Sequence, residues 1–429
     1  MDGRSWTAKF WTAKSEAKVS GSLAQSNPRI FYGWFVVAGT FAVTFVGFGC
    51  AYTFSAFLPS LQHDFAASRG SISLVFSLAG FLYFALGMVS GPLADRFGPR
   101  RLAVAGMLLT GAGLAAASAA RSLTEVYAAY GLGVGLGIGT SYVPVLGAMQ
   151  QWFVRQRGLA SGIGAAGIGV GTLVMPPVAA ALIAAVGWRE AYLVLGIFAA
   201  SVGGGLALLI ENDPADRGLR PDGDPLQPGV QAKALTAASL GEALHSRRFI
   251  GLCAACLIGS FGVFVPFVHL VPYALDHGVA QSAAVLLLGA IGVGSTAGRF
   301  FLGGIADRFG RSFSLLLMVA GMALAFAVWL LATSLWPLAA FALLFGLFYG
   351  GWVALMPAVV ADYFPGRNIG TVLGILSLSI AVGTLIGPSA AGFAYDFSRS
   401  YTVPILASAA SYIVAAAILA LTSRAAPKK

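Results

Sequence analysis

Charged residues are scarce in this sequence, and their scarcity excludes a soluble globular protein. Only 10% of the 429 residues are Asp, Glu, Lys or Arg, whereas 58% are hydrophobic. Soluble domains carry about 25% charged residues. Apolar stretches of about 20 residues, long enough to cross a bilayer, recur along the whole chain. The sequence therefore predicts an all-α protein that crosses the lipid bilayer many times.

Cysteines and catalytic groupings are also few. Two of the three cysteines, Cys253 and Cys256, form a C-x-x-C within an apolar segment, where small packing residues are expected rather than a redox or metal site. No His, Cys, Asp or Glu cluster has metal-ligand spacing, and we find neither a nucleophile–base pair nor an ATP-binding signature. We therefore expect no enzymatic activity, no cofactor and no metal.

A dinucleotide-like pattern, G-x-G-x-x-G at residues 162–167, also lies within an apolar segment. That fingerprint requires a preceding strand and a βαβ unit. Close packing of helices through small residues is the better interpretation.

Breaks between the apolar stretches define twelve candidate transmembrane helices. Their approximate ranges are 33–58, 72–94, 101–119, 124–150, 158–185, 190–210, 248–275, 281–306, 312–334, 336–361, 368–394 and 400–422. The stretch 211–247 is polar and contains four prolines, which is typical of a linker. The expected organisation is an N-terminal tail (1–30), a six-helix half (31–210), the linker (211–247), a second half (248–423) and a C-terminal tail (424–429).

The 26 Lys and Arg residues are distributed unevenly. With both termini placed in the cytoplasm, 21 of them fall in cytoplasmic segments and four in loops on the other side. Positive residues favour the cytoplasmic side of a membrane, so we expect both tails and the linker there. This bias also explains the net charge of +10 without nucleic-acid binding.

The two halves repeat each other at a constant offset. Residues 95–98 read DRFG and recur 212 positions later at 307–310, and Gly171-Thr172 and Pro176 recur at the same offset. One offset maintained over about eighty residues predicts two six-helix halves in parallel orientation with a site at their interface.

Arg299 is the one Lys or Arg of the 26 that is left within the membrane core, because the others lie in loops, in tails or at helix ends. A charge near the middle of a membrane helix costs roughly 2.5–3.5 kcal/mol on insertion scales, so such a residue usually serves a function. No Asp or Glu occurs at a similar depth in any of the twelve segments, which favours a diffusible anion as its partner. Coupling, gating and pairing with backbone carbonyls are alternatives.

Polar and aromatic residues at similar depth extend this candidate substrate site. They are Ser295, one turn from Arg299 on the same helical face, together with Tyr142, Tyr349, Tyr52 and Trp352. A phenol can donate to a carboxylate while its ring forms an apolar wall. For each aromatic residue, core packing or lipid contact is the alternative role.

His269 and Asp276 lie seven residues apart on one face of the seventh predicted helix. Histidine titrates near physiological pH, so these two residues are candidates for proton coupling. A structural histidine held by hydrogen bonds is the alternative.

The duplicated loop resembles that of the major facilitator superfamily of secondary transporters. Its G-x-x-x-D-R-x-G-x-R/K pattern appears from Gly91 to Arg100, and a second copy begins at Gly303. The resemblance covers nearly the whole chain and implies the twelve-helix fold of that superfamily. In the family this loop latches the cytoplasmic helix ends, a role that the resemblance gives to Asp95, Arg96, Asp307 and Arg308.

Several stretches are similar to the monocarboxylate transporter branch, which has bacterial members and is akin to the oxalate–formate antiporters. They are residues 32–37, 157–167 and 269–274 and the Gly298-Arg299 pair. The resemblance implies that Arg299 binds the carboxylate of the substrate. The chain departs from animal members in having Ser295 in place of an Asp and about Tyr52 in place of a Lys. It also lacks the antiporters' second interior cation in the eleventh helix.

These observations lead us to expect a secondary transporter of a small monocarboxylate, such as lactate or pyruvate. We expect alternating access, with ion or proton coupling or exchange, in a monomeric protein of a bacterial inner membrane. The alternative is a proton-linked efflux facilitator for amphipathic compounds. A membrane sensor or embedded enzyme finds no support in a signalling domain or a catalytic cluster.

Overall fold

The structure is a computed structural model that describes residues 31–223, 244–302, 306, 308–364 and 369–423. Twelve helical spans, joined by short connecting segments, make up nearly all of these described residues. In chain order they are α1 (Gly33–Tyr52 and Phe54–Phe65), α2 (Arg69–Ala85 and Gly87–Phe97), α3 (Pro99–Ser118), α4 (Leu123–Val126, Tyr127–Val134 and Gly135–Trp152), α5 (Arg157–Val186), α6 (Trp188–Phe198, Ala199–Gly203 and Gly204–Ala207), α7 (Arg247–Val263 and Val265–Asp276), α8 (Gln281–Ala297 and Gly298–Leu302), α9 (Arg311–Leu331), α10 (Leu335–Tyr363), α11 (Ile369–Ser398) and α12 (Thr402–Ser423). Eleven spans are long and apolar enough to cross a membrane, and α2, bent by 49°, makes the twelfth. The prediction of twelve transmembrane helices is confirmed.

Helix starts and breaks follow local sequence chemistry. Ser68, Ser122 and Ser246 precede α2, α4 and α7, and each side chain accepts a hydrogen bond from a backbone N–H of the first turn. The break in α7 falls at Phe264, just before Pro266, which has no N–H to continue the helical ladder. The break divides α7 into the segments Arg247–Val263 and Val265–Asp276.

The helix bounds repeat with the offset found in the sequence. α5 spans Arg157–Val186 and α11 spans Ile369–Ser398, so both ends are displaced by the same 212 residues. α1 breaks at Thr53 and α7 at Phe264, close to equivalent positions. The two halves therefore share their helix geometry as well as their motifs.

The halves meet along two helix pairs, α2 with α11 and α5 with α8. Glycines allow close approach: a Cβ at Gly292 of α8 would lie 2.6 Å from the Gly169 carbonyl oxygen of α5. Gly164, Gly167 and Gly171 of α5 face α1 at similarly short range. Gly164 and Gly167 of the predicted pattern therefore pack helices closely, whereas Gly162 meets only Phe300, at 4.0 Å.

The start of the linker is folded against the first half. Glu211 pairs with Arg100 at 2.9 Å and with Arg217 at 2.5 Å. Hydrogen bonding from Arg217, helped by Arg100, lowers the pKa of the Glu211 carboxyl. We call the side of the protein that carries residues 211–223 the linker side and the other the far side. The predicted tails, and linker residues 224–243, lie outside the described residues.

Candidate functional site

Arg299 lies inside the protein, on a distorted turn at the linker-side end of α8. Residues Gly298–Leu302 form a π-helical turn, a feature that is frequent at functional sites. A Cβ at Gly298 would meet backbone atoms of α10, so only glycine permits this approach. The Arg299 side chain is consequently held between helices, and the residue is 6% exposed.

The Arg299 guanidinium is only partly satisfied by the protein. Its Nη1 donates to Ser295 Oγ at 2.9 Å, as expected for residues one turn apart. Within the described part of the chain, Nε and Nη2 are buried and have no hydrogen-bond partner. An unpaired buried charge is costly, so these two donors indicate a place for an anionic ligand.

Three of the predicted tyrosines interact electrostatically with this guanidinium. Tyr349 of α10, Tyr142 of α4 and Tyr52 of α1 lie within its electrostatic reach. The hydroxyls of Tyr52 and Tyr349 also interact with each other. The site therefore combines side chains from both halves of the chain.

A central cavity of about 130 Å³ lies beside these tyrosines. The predicted residues Tyr52, Tyr142, Tyr349 and Trp352 line it. The remaining lining residues are Phe48, Phe84, Ile168, Phe264, Val353, Met356, Pro357, Leu373, Ser377 and Ile380. Of the described residues that line it, none carries a formal charge. The apolar wall was missed because its members are apolar residues in apolar helices, which no periodicity distinguishes.

An ion-pair cluster joins the two halves on the far side. Arg69 at the start of α2 donates two hydrogen bonds to Asp276 of α7, at 2.6 and 2.7 Å, and one to the Tyr401 hydroxyl at 3.0 Å. Asp396 of α11 accepts the backbone N–H groups of Arg69 and Gly70 at 3.0 and 2.8 Å. We call this cluster the far-side lock.

Sequence reasoning missed the far-side lock. The available signal was that Arg69 begins a helix on the side where Asp276 and Asp396 end theirs. Helix ends on the same side of the membrane can contact each other, and a carboxylate is stabilised near the N-terminus of a helix by the helix dipole.

His269 is buried next to the far-side lock. Its Nε2 lies 2.8 Å from the Pro388 carbonyl oxygen and its Nδ1 lies 3.0 Å from the Tyr401 hydroxyl. A neutral ring with its hydrogen on Nε2 satisfies both contacts, since the carbonyl can only accept. His269 and Asp276 thus contact the same cluster, and their predicted role in coupling stays a prediction.

The predicted gate residues lie on the linker side. Asp95 and Arg96 are exposed at the end of α2, and Asp95 lines a cavity of about 610 Å³. Arg308 is exposed, and Asp307 lies outside the described residues. Nowhere in the described ranges do three His, Cys, Asp or Glu residues come close enough to hold a metal ion.

Comparisons with known proteins agree with this architecture. A model of the Major Facilitator Superfamily matches residues 40–335 and 250–429. Monocarboxylate transporter 11 of Mus musculus is 32% identical over 392 residues, covering 87% of this chain and 84% of that protein. Monocarboxylate transporter 3 of Rattus norvegicus is 31% identical, with 91% and 80% covered. MFS-type transporter 1 of Ophiocordyceps sp. is 30% identical, with 87% and 84% covered.

A solved structure shares the fold at lower identity. It is a bacterial homologue of the human lysosomal transporter Spinster in an inward-facing, unoccupied conformation. The two structures superpose with a TM-score of 0.71 at 17% identity, covering 93% of this chain and 100% of the other.

Proposed function

This chain belongs to the major facilitator superfamily, in the branch of the monocarboxylate transporters, and we propose that it moves a small monocarboxylate across a cell membrane by alternating access. The observation that carries the proposal is the Arg299 guanidinium, which is buried and whose Nε and Nη2 have no hydrogen-bond partner among the described residues. A lactate-like or pyruvate-like anion would supply one acceptor oxygen for each of these two nitrogens.

The chemistry of the site favours one carboxylate. A guanidinium binds a carboxylate through two parallel hydrogen bonds, and each charge-assisted bond contributes about 1.5–3 kcal/mol. Tyr142, Tyr349 and Tyr52 interact electrostatically with Arg299, and we propose that their hydroxyls donate further hydrogen bonds to the substrate, while Ser295 accepts from the third guanidinium nitrogen. The described residues that line the cavity include no cation, and Arg299 interacts with three of its tyrosines, so a second carboxylate would find no charged partner in that lining.

The lock supports an alternating-access mechanism. The halves are joined on the far side by Arg69, Asp276 and Asp396, and the duplicated loop lies at the other end of α2. We propose that the linker side faces the cytoplasm, as the Lys and Arg bias indicates. A monomer as the functional unit is part of this proposal.

The cavity argues against the alternative of a drug-efflux facilitator. Pockets that hold drug-sized ligands measure about 300–1,000 Å³. The central cavity, at about 130 Å³, suits a much smaller molecule. Its described lining also lacks the acidic residue that would bind a cationic drug.

The test is uptake into proteoliposomes of labelled lactate, pyruvate and 3-methyl-2-oxobutanoate, with succinate and leucine as comparison solutes. We expect saturable uptake of at least one monocarboxylate by the wild type and a loss of more than tenfold in Arg299→Ala. Arg189→Ala, which removes a partly exposed arginine of the far side, is the matched control and should transport normally. Equal uptake by wild type and Arg299→Ala would refute the proposal.

A further inference from the structure

Tyr83 of α2 is a buried phenol that stands just outside the candidate site. The residue is 1% exposed, and within the described part of the chain its hydroxyl has no hydrogen-bond partner. Buried hydroxyl groups nearly always have a partner, so an unpaired one requires an explanation. Its ring centre lies 5.5 Å from that of Phe48 and 4.6 Å from that of Phe84, and both of these rings line the central cavity. Tyr83 therefore lies directly behind the cavity wall.

The Tyr83 hydroxyl lies at the contact between α2 and α11. A Cβ at Gly80, about one turn earlier, would lie 3.4 Å from the Tyr83 hydroxyl oxygen and would also meet Thr384 of α11. Thr384 is already engaged, because its hydroxyl donates to the Ile380 carbonyl oxygen at 2.8 Å. The Tyr83 hydroxyl is thus held at the boundary between the two halves, where the described residues give it no partner.

Two further phenols connect Tyr83 with the carboxylate-binding arginine. The hydroxyl of Tyr83 interacts with those of Tyr349 and Tyr52. These two hydroxyls interact with each other and with the guanidinium of Arg299. Tyr83 is not among the groups that interact with that guanidinium directly. The interactions therefore run in one order, from Arg299 through Tyr52 and Tyr349 to Tyr83.

We propose that Tyr83 is a positioning residue that acts through Tyr52 on the second functional group of the substrate. A phenol carries one hydrogen, so the Tyr52 hydroxyl donates to one acceptor at a time. When Arg299 binds the carboxylate of a 2-oxo or 2-hydroxy acid, the Tyr52 hydroxyl donates to the oxygen on carbon 2 and accepts from Tyr83. The Tyr83 hydroxyl then has the partner that it lacks in the empty site.

This arrangement distinguishes acids by what carbon 2 carries. Propionate has the carbon skeleton of pyruvate but no oxygen on carbon 2, so it leaves the Tyr52 and Tyr83 hydroxyls without this pairing. A site that is built to hydrogen-bond a substrate oxygen rejects an analogue that lacks it, because buried polar groups of the site stay unpaired. One hydrogen bond between neutral groups corresponds to roughly a three- to tenfold change in affinity.

The inference rests on the proposed function and is tested by equilibrium binding to the purified protein. Labelled pyruvate is compared with labelled propionate, and 3-methyl-2-oxobutanoate with 3-methylbutanoate. In Tyr83→Phe we expect the affinity for the oxo acid of each pair to fall roughly three- to tenfold and that for the plain acid to stay at the wild-type value. The melting temperature should not fall, because the oxygen atom that is removed has no partner among the described residues.

Tyr192→Phe is the matched control. It removes another buried hydroxyl that has no partner in the described ranges. The Tyr192 ring packs on Phe57 and Trp188, and none of these three residues lines the central cavity. We expect Tyr192→Phe to bind both acids of each pair as the wild type does.

A double-mutant cycle tests whether Tyr83 acts through Tyr52. Tyr52→Phe should lower the preference for the oxo acid at least as much as Tyr83→Phe does, and adding Tyr83→Phe to Tyr52→Phe should lower it no further. Equal effects of Tyr83→Phe in both backgrounds would overturn the inference, as would a wild-type preference that survives in Tyr52→Phe.

Two other results bear on the role of Tyr83. If Tyr83→Phe weakens both acids of a pair equally, or neither, the positioning role is overturned while carboxylate binding by Arg299 stands. If no monocarboxylate shows Arg299-dependent binding, the proposed function fails, and this inference fails with it.

Discussion

Replacing Arg69 by glutamine should weaken the far-side lock and so favour conformations in which the two halves separate on the far side. Arg69 is the residue through which the first half contacts Asp276 and Tyr401 of the second half. Its guanidinium also lies 4.1 Å from the ring centre of Tyr395. Glutamine retains some hydrogen bonding but loses the charge, the bidentate geometry and the cation–π contact.

The magnitude follows from the burial of the pair. Breaking a buried ion pair costs about 3–5 kcal/mol, whereas exposed pairs contribute about 0–1 kcal/mol. The Arg69 and Asp276 side chains are 13% and 29% exposed, between those two limits. We therefore expect a loss of about 2 kcal/mol from the locked state, equivalent to roughly a 30-fold shift towards conformations open on the far side.

Electron–electron distance measurements between spin labels at Thr124 and Thr333 report this opening. Both positions are exposed on the far side, one in each half. Arg189→Gln is the matched control, because Arg189 forms a 2.6 Å ion pair with Asp64 on the same side but within one half. Arg69→Gln should add a longer-distance population that wild type and Arg189→Gln lack. Identical distance distributions in all three proteins would refute the role of the lock.

Three further predictions concern the site, the histidine and the linker. Gly169→Ala should weaken substrate binding roughly tenfold, because the new methyl group would lie 3.2 Å from Arg299 Nη1 and against Thr296. The control is Gly162→Ala, whose methyl group would meet only Phe300 at 4.0 Å, and it should bind substrate normally. Binding assays on both variants check this. His269→Gln should leave Arg299-dependent transport and its pH profile unchanged, and a shifted profile would instead support the predicted coupling role. Glu211→Gln should lower the melting temperature at pH 7, because the lowered pKa of Glu211 means that its ionised form stabilises the fold above the ordinary glutamate range. That stabilisation disappears as the pH falls through the pKa of Glu211 in the folded state, so melting curves of the wild type and the variant should converge in acid.

The helical architecture could be predicted because its causes are local. Runs of apolar residues set the spans, charged and proline-rich stretches separate them, and the duplicated motif gave the offset that α5 and α11 repeat. Arg299 was equally predictable, since a lone charge in an apolar helix requires an interior position. Its contact with Ser295 followed from helical periodicity alone.

The structural features that the sequence did not predict depend on contacts between segments that are distant in the chain. Arg69 and Asp276 are 207 positions apart, and nothing in either segment specifies the other. The apolar wall of the cavity could not be predicted for a different reason, because the sequence does not distinguish Phe84 and Phe264 from apolar residues that face lipid. The π turn at Gly298–Leu302 also escaped prediction, since it depends on the backbone of α10 approaching Gly298.

Equilibrium binding to the purified protein tests the central claim most directly. Labelled monocarboxylate is titrated against wild type and Arg299→Gln, with Arg189→Gln as a control for the loss of an arginine elsewhere. Because Nε and Nη2 have no partner in the part of the chain that the structure describes, we assign them to the carboxylate, and their loss should reduce affinity by roughly 30-fold or more. We expect one saturable site in the wild type and in Arg189→Gln, and near-complete loss in Arg299→Gln. Equal affinity of Arg299→Gln and the wild type would contradict the assignment of Arg299 as the carboxylate-binding residue.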